Sequence, residues 1–106
     1  MSIAGRLRTR LTLEEPVEVP DGQGGVTRSY QTLATLWASL EALRGRADIR
    51  ADALGVSITH RIIIRSGAIL SVQHRLRLGE RLFVIEAYRA ARDGALIEID
   101  AVEIAP

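Results

Sequence analysis

Two histidines, His60 and His74, are the side chains of this 106-residue chain that could act as bases near neutral pH. Nucleophilic catalysis also needs an activated serine, threonine or cysteine beside such a base, and the chain has no cysteine. Neither histidine stands in a sequence context typical of a catalytic site. His60 lies in an alternating apolar stretch and is expected in the core or in an interface, whereas His74 lies near a turn and is expected in solvent. The sequence therefore predicts no enzyme activity.

Metal and cofactor sites are not predicted either. Asp48 and Asp52 are spaced i and i+4, but no third ligand stands nearby. Gly22, Gly24 and Gly25 form a glycine-rich stretch that lacks the Lys and the Ser or Thr of a phosphate-binding loop. We expect this stretch to be the flexible tip of a hairpin, spanning residues 20–25. No cofactor is expected.

Charged residues in a predicted helical insertion, residues 44–55, suggest contacts between protein molecules. The segment is bracketed by glycines and has apolar residues at helical spacing. Two arginines four residues apart form one column of that helix, and two aspartates form another on nearly the opposite side. Such a helix suits head-to-tail contacts that close into rings, although an ordinary solvated helix explains the pattern equally well. The candidate interface residues here are Arg44, Arg46, Asp48, Arg50 and Asp52.

A second charged feature is a stripe of arginines on the first predicted strand, formed by Arg6, Arg8 and Arg10. Pairing with Glu98 and Asp100 on the last strand is the simpler interpretation. The stripe could instead meet DNA or an acidic partner. All fourteen basic residues are arginine, which suits interfaces because its planar fork makes two contacts at once, although a coding bias also explains the usage. With a net charge of +1, the whole molecule is not a strong binder of polyanions.

Most of the chain alternates between apolar and polar residues with the period of two that is typical of half-buried strands. Turn signals separate these stretches, among them Gly79-Glu80 and Arg92-Asp93-Gly94. The residues expected to share a face are Leu7, Thr9, Leu11 and Leu13, then Leu36, Ala38, Leu40 and Ala42, then Ile58, His60, Ile62 and Ile64. The predicted fold class is mainly β: a small barrel or sandwich of five to seven short strands with one short helical insertion, in a single domain over residues 1–106.

Some local features depart from simple alternation. Pro16 and Pro20 are expected to weaken regular pairing after the first strand. The run from Leu82 to Ile85 is apolar on both faces, which indicates a central strand or one that a partner covers. In the last strand the apolar set shifts phase at Val102, which predicts a bulge or a bend.

The apolar runs are too short to span a bilayer, and the N-terminal residues do not resemble a signal peptide. We therefore expect a soluble, intracellular protein with no membrane partner.

Several stretches, taken in order, resemble the phage head-tail joining family, also called head-closure or stopper proteins. Each stretch is weak alone, and the ordered set along nearly the whole chain is fairly specific. The stretches are Gly5–Leu13, the glycine-rich Asp21–Gly25, Leu36–Leu43 with Gly45 close behind, Thr59–Arg65 and Arg75–Ile85. An acidic residue commonly follows that glycine in the family, and Asp48 is the matching position here.

The resemblance implies a small β-barrel protomer that is a structural protein and not an enzyme. Copies of it would form a homo-oligomeric ring in the virion neck, after assembly in the host cytoplasm. The ring would dock under the portal or adaptor protein, close the filled capsid around the packaged DNA, and give the tail terminator or tail tube a platform. The particle could be a phage, a prophage or a domesticated phage-like element.

Two alternatives stay open from the sequence. One is another ring of the same neck, either an adaptor or a tail terminator, although the strand count opposes both. The other is a small-barrel nucleic-acid-binding module, which predicts exposed aromatic residues interleaved with basic residues on strands. Trp37 or Phe83 is expected to be needed for the core, which leaves few rings for that role.

Overall fold

The protein was analysed as a computed structural model that describes residues 7–43 and 58–104. Six strands make up its regular structure, which confirms the mainly β prediction. The predicted helical insertion at 44–55 lies outside the described residues. The described part contains no helix of the length and apolar character that crossing a membrane requires. The strands are β1 (Thr9–Pro20), β2 (Val26–Ala42), β3 (His60–Arg65), β4 (Arg75–Leu78), β5 (Arg81–Ala91) and β6 (Leu96–Ile104).

The strands form one closed antiparallel barrel in the order β1-β2-β3-β6-β5-β4. The alternation seen in the sequence places one apolar face of each strand inside, as predicted for β1, β2 and β3. Phe83 is the large ring in the centre, and aliphatic side chains surround it. The core consists of Leu11, Leu13, Ala38, Ile62, Ile64, Leu76, Phe83, Ile85, Ile99 and Ala101.

The barrel closes at a short seam between β1 and β4. Only three residue pairs join the two strands, from Thr12↔Arg77 to Glu14↔Arg75. Leu13 and Leu76 fill the inner side of the seam. On the outer side the buried carboxylate of Glu14 accepts a hydrogen bond from Arg75 Nε at 2.7 Å and lies 3.0 Å from Arg77 Nη2. Charge-assisted contacts on both sides of one carboxylate therefore support the weakest ladder of the barrel.

Beyond the seam, the β1–β2 hairpin continues as a two-stranded arm, residues 15–31. Its ladder runs from Glu15↔Gln31 to Pro20↔Val26. The expectation that Pro16 and Pro20 weaken pairing was wrong, because both keep their register, as prolines can on an edge strand. The arm gives the molecule an elongated shape of 54 × 30 × 25 Å.

Two register shifts interrupt the ladders. One lies between Leu13 and Glu14 of β1, where Leu33 of β2 is the extra residue, and it marks the base of the arm. The other lies between Ile85 and Ala87 of β5. The bulge that the sequence predicted in β6 thus lies in the neighbouring strand β5, where Glu86 is the extra residue. The apolar phase change at Val102 has a different cause, because Val102 packs in a second small cluster with Ile58 and Leu43.

The predicted turns are confirmed with one difference in length. Gly79-Glu80 is a two-residue hairpin loop, and Gly79 adopts a φ of 61° that glycine accepts without strain. The loop between β5 and β6 has four residues, Arg92–Ala95, in which Arg92, Asp93 and Gly94 all have positive φ.

The two histidines are both buried. His60 is a core residue as predicted, with its ring edge-on to Phe83 at a centroid distance of 5.0 Å. The prediction of a solvated His74 was wrong, because this side chain is buried; it lies at the end of a loop whose Ala68 and Leu70 pack against the core. Burial lowers the pKa of His60 below its ordinary 6.5; the Arg81 guanidinium lowers it too, whereas the Glu103 carboxylate opposes the shift.

We expect Glu14→Gln to lower the free energy of unfolding by about 1–3 kcal/mol, because both arginines lose a charged partner at the seam. Urea unfolding followed by circular dichroism measures this loss. Glu18→Gln is the matched control, since Glu18 pairs with Arg28 at 3.0 Å in an exposed position on the arm. A much smaller loss is expected there. Equal losses in the two variants would contradict the importance of the seam.

We also expect the protein to lose stability as the pH falls below about 6.5. The unfolded chain takes up a proton on His60 in that range, while the folded chain, with its lowered pKa, resists it. Unfolding midpoints at pH 7.5 and pH 5.5 measure the effect. His60→Gln removes this contribution and should reduce the difference between the two midpoints. An unchanged difference in that variant assigns the pH dependence to other groups.

Candidate assembly surfaces

Arginine–carboxylate pairs cover the outer wall of β3, β5 and β6. Arg89 donates to both carboxylate oxygens of Asp100 at 2.9 Å and lies 3.0 Å from Glu98. These contacts raise the pKa of Arg89, the hydrogen bond to Asp100 most of all. Arg61 lies 3.7 Å from Glu98 on the other side. On this wall, two arginines, Arg61 and Arg89, therefore form one network with the two carboxylates of β6.

For Arg10, the arginine within β1, the network corrects the predicted pairing with Glu98 and Asp100. In the closed barrel β6 lies between β3 and β5, while β1 lies between β2 and β4. The cross-strand partners of the two acids are thus Arg61 and Arg89, which occupy the neighbouring strands.

A similar pair lies at the end of the barrel where β5 begins. Arg81 donates to the two oxygens of Glu103 at 2.8 and 3.0 Å, which lowers the pKa of that carboxyl. Glu103 also lies 3.8 Å from His60 Nε2, and the Thr59 hydroxyl lies 2.9 Å from His60 Nδ1. The hydroxyl accepts a hydrogen bond from the Glu103 backbone N–H at 2.7 Å.

This arrangement of Thr59, His60 and Glu103 comes nearest to a catalytic constellation. The geometry is that of structural support, because the hydroxyl is held by the backbone and the imidazole lies buried against Phe83. In residues 7–43 and 58–104, no three histidine or carboxylate side chains come close enough to hold a metal ion.

The start of β1 carries an exposed basic and aromatic patch. The Arg10 guanidinium lies over the Trp37 ring at 5.1 Å, and these residues are cross-strand partners. The Trp37 side of β2 faces outward, so this residue is 51% exposed while Phe83 occupies the core. Arg8 and Arg65 line a shallow depression beside the same ring. Cation–π contact of this kind is common at binding surfaces.

Next to this patch lies an apolar groove of about 740 Å³. It runs between residues 33–37 of β2 and the loop of residues 65–69. β2 pairs with β3 only from Ala38 onward, so no described strand covers the β2 edge along the groove. Exposed apolar side chains border it, among them Leu33, Trp37 and Ile69, the last 81% exposed.

The tip of the arm is a defined turn. Asp21 Oδ1 accepts hydrogen bonds from the backbone N–H groups of Gln23 at 2.7 Å and Gly25 at 3.1 Å. Gly22 and Gly24 have φ values of 82° and 85°, which require glycine. Its flexibility stays a prediction.

The predicted interface residues thus fall into three groups. Gly22, Gly24 and Gly25 lie together at the arm tip, and Arg8 and Arg10 lie at the exposed start of β1. Arg6, Arg44, Arg46, Asp48, Arg50 and Asp52 lie outside the described residues. Sequence reasoning missed the groove and the exposed Trp37. The one available signal was the position of Trp37 between Leu36 and Ala38, on the opposite face of its strand from the small and aliphatic set.

Comparison with known proteins identifies one family. A family model described as phage head completion protein matches residues 3–104. No curated protein matches the chain.

Two solved structures resemble the whole fold. The solution structure of protein SF1141 from Shigella flexneri 2a has 27% sequence identity and a TM-score of 0.77, with 97% of this chain and 96% of that chain covered. A chain in the virion of a native gene transfer agent particle has 26% identity and a TM-score of 0.62, with 92% and 94% covered. The match over residues 3–104 shows that this chain belongs to the phage head completion protein family, so it is a structural protein of a phage-type virion and not an enzyme.

Proposed function

We propose that this chain forms the ring that joins the portal or its adaptor to the tail. In this role the ring closes the filled capsid, retains the packaged DNA, and gives the tail terminator or tail tube its attachment platform. Assembly takes place in the host cytoplasm, and the product stays in the virion neck. The likeness to a chain of a gene transfer agent virion, over nearly the full length of both chains, is the observation that carries this proposal.

The distribution of surface chemistry supports a ring. The wall of β3, β5 and β6 is neutralised by pairs within the chain, as between Arg89 and Asp100. Exposed apolar side chains instead gather on the arm, at Val19 and Val26, and around the groove. Two different exposed apolar surfaces on one subunit suit head-to-tail contacts, which close into rings. The charged residues from Arg44 to Asp52 remain proposed contacts of the same ring.

A second candidate, a module that binds nucleic acid, is favoured by one observation. Trp37 is exposed beside Arg10 and Arg65, and single-strand binders place aromatic rings next to basic residues in this way. The net charge of +1 weighs against it as the main function of the free chain.

The ring proposal is tested by deleting the gene in a cell that produces the particle. We expect filled heads that lose their DNA and finished tails that stay separate, because nothing seals the exit or holds the tail. Electron microscopy and nuclease protection of the packaged DNA measure both effects. Complementation with the unaltered chain is the control. Tailed, DNA-retaining particles in the deletion strain would contradict the proposal.

The second candidate is tested with labelled single-stranded DNA and the purified chain. Under the ring proposal we expect no micromolar binding at physiological salt, because the net charge of the chain is only +1. Salt-dependent micromolar binding that falls about tenfold in Trp37→Ala would favour the nucleic-acid module instead. Tyr88→Ala is the matched control, since Tyr88 is an exposed aromatic residue away from the patch.

A further inference from the structure

We propose that the arm of one subunit docks into the apolar groove of the neighbouring copy, so that arms link the ring. This inference rests on the proposed function, because it takes the neighbour to be a second copy of the chain. It specifies which two surfaces meet.

The groove has the properties of a receiving site. Core side chains such as Leu13 and Ile64 line it, so the groove lies directly beside the packed core. Its rim exposes Leu33, Trp37 and Ile69. Because no described strand pairs with β2 there, alternate backbone N–H and C=O groups of residues 33–37 face the groove. An apolar surface with free strand-edge groups is suited to an extended protein segment.

The arm has the properties of the segment that enters. It projects beyond the barrel, as the 54 Å long axis against 30 and 25 Å shows. Its outer end exposes Val19 at 49% and Val26 at 61%. Pro16 and Pro20 block its β1 edge against adding another strand, whereas its β2 edge, from Val26 to Gln31, contains no proline.

An arm that fills the groove must come from another molecule. The arm is a continuous ladder from Glu15 to Pro20, and Glu15, which also lines the groove, is four positions from Val19. At about 3.3 Å per residue, Val19 lies about 13 Å along the strand from the groove of its own chain. A paired ladder does not fold back on itself, so the apolar end of the arm and the groove can meet only between copies.

The charges of the two surfaces favour the same pairing. The outer end of the arm carries Glu18 and Asp21 against a single cation, Arg28. The groove and its border carry Arg10 and Arg65 against a single acid, Glu15. The arm end is therefore acidic by one charge and the groove region basic by one. A second copy supplies both the apolar and the electrostatic complement, and unlike surfaces give the head-to-tail contact of a ring.

Cysteine crosslinking in the assembled particle tests this contact, because the chain has no cysteine of its own. A Val19→Cys/Ile69→Cys chain replaces the natural one in the particle-producing cell, and purified particles are treated with a short bismaleimide. We expect a ladder of covalent multimers that ends at the ring. Val26→Cys/Leu33→Cys is a second pair for the same contact, used if the first fails to support assembly.

Val19→Cys/Ile104→Cys is the matched control. Ile104 is exposed and lies at the opposite end of the barrel from the groove. It follows Ala101, which pairs with His60 at the start of β3, whereas Arg65 at the end of β3 lines the groove. This pair should give dimers at most. Three outcomes would overturn the contact and leave the ring proposal standing. They are tailed particles that show no ladder from either arm–groove pair, a ladder from the control equal to that of the arm–groove pairs, and crosslinks from position 69 to a different protein. Particles that assemble without the chain would overturn both.

Discussion

Closure of the barrel between β1 and β4 is the constraint on which the rest of the structure depends. The seam has only three residue pairs, and the buried Glu14 between Arg75 and Arg77 supports it from outside. Arg75 has a second role, because its guanidinium stacks on the Tyr30 ring at 3.6 Å. Tyr30 belongs to the arm, so the Arg75 side chain connects the β1–β4 seam to the base of the projecting hairpin. An arm fixed at its base presents its end in a defined direction.

The exclusive use of arginine has a structural consequence in this fold. Planar guanidinium groups make two-pronged contacts with carboxylates, as Arg81 does with Glu103 through Nε and Nη2. Guanidinium groups also stack on rings, as Arg10 does on Trp37. A lysine ammonium could not match the two-pronged geometry. Arginine therefore stabilises the wall of the barrel and, at the start of β1, stays associated with an exposed aromatic surface.

Stability and assembly are divided between different parts of the chain. One compact core around Phe83 and paired charges on the wall maintain the protomer. The arm contributes no residue to that core, and both the arm end and the rim of the groove expose apolar side chains. Such a division suits a structural protein of a virion, and in the proposed ring the exposed apolar surfaces would be covered by neighbouring copies. The family match agrees with such a role.

The sequence by itself determined the fold class, the strands and most of their inward faces, because a period of two fixes which side chains share a face. It also determined the turns, since Gly79 and Asp93-Gly94 favour the backbone conformations that hairpins need. The tertiary structure alone decided which strands are neighbours, and this is why the acids of β6 pair with Arg61 and Arg89. It likewise placed Trp37 outside and buried His74. Alternation assigns a residue to a face of its strand, but only closure of the barrel and the path of its loops decide what covers that face.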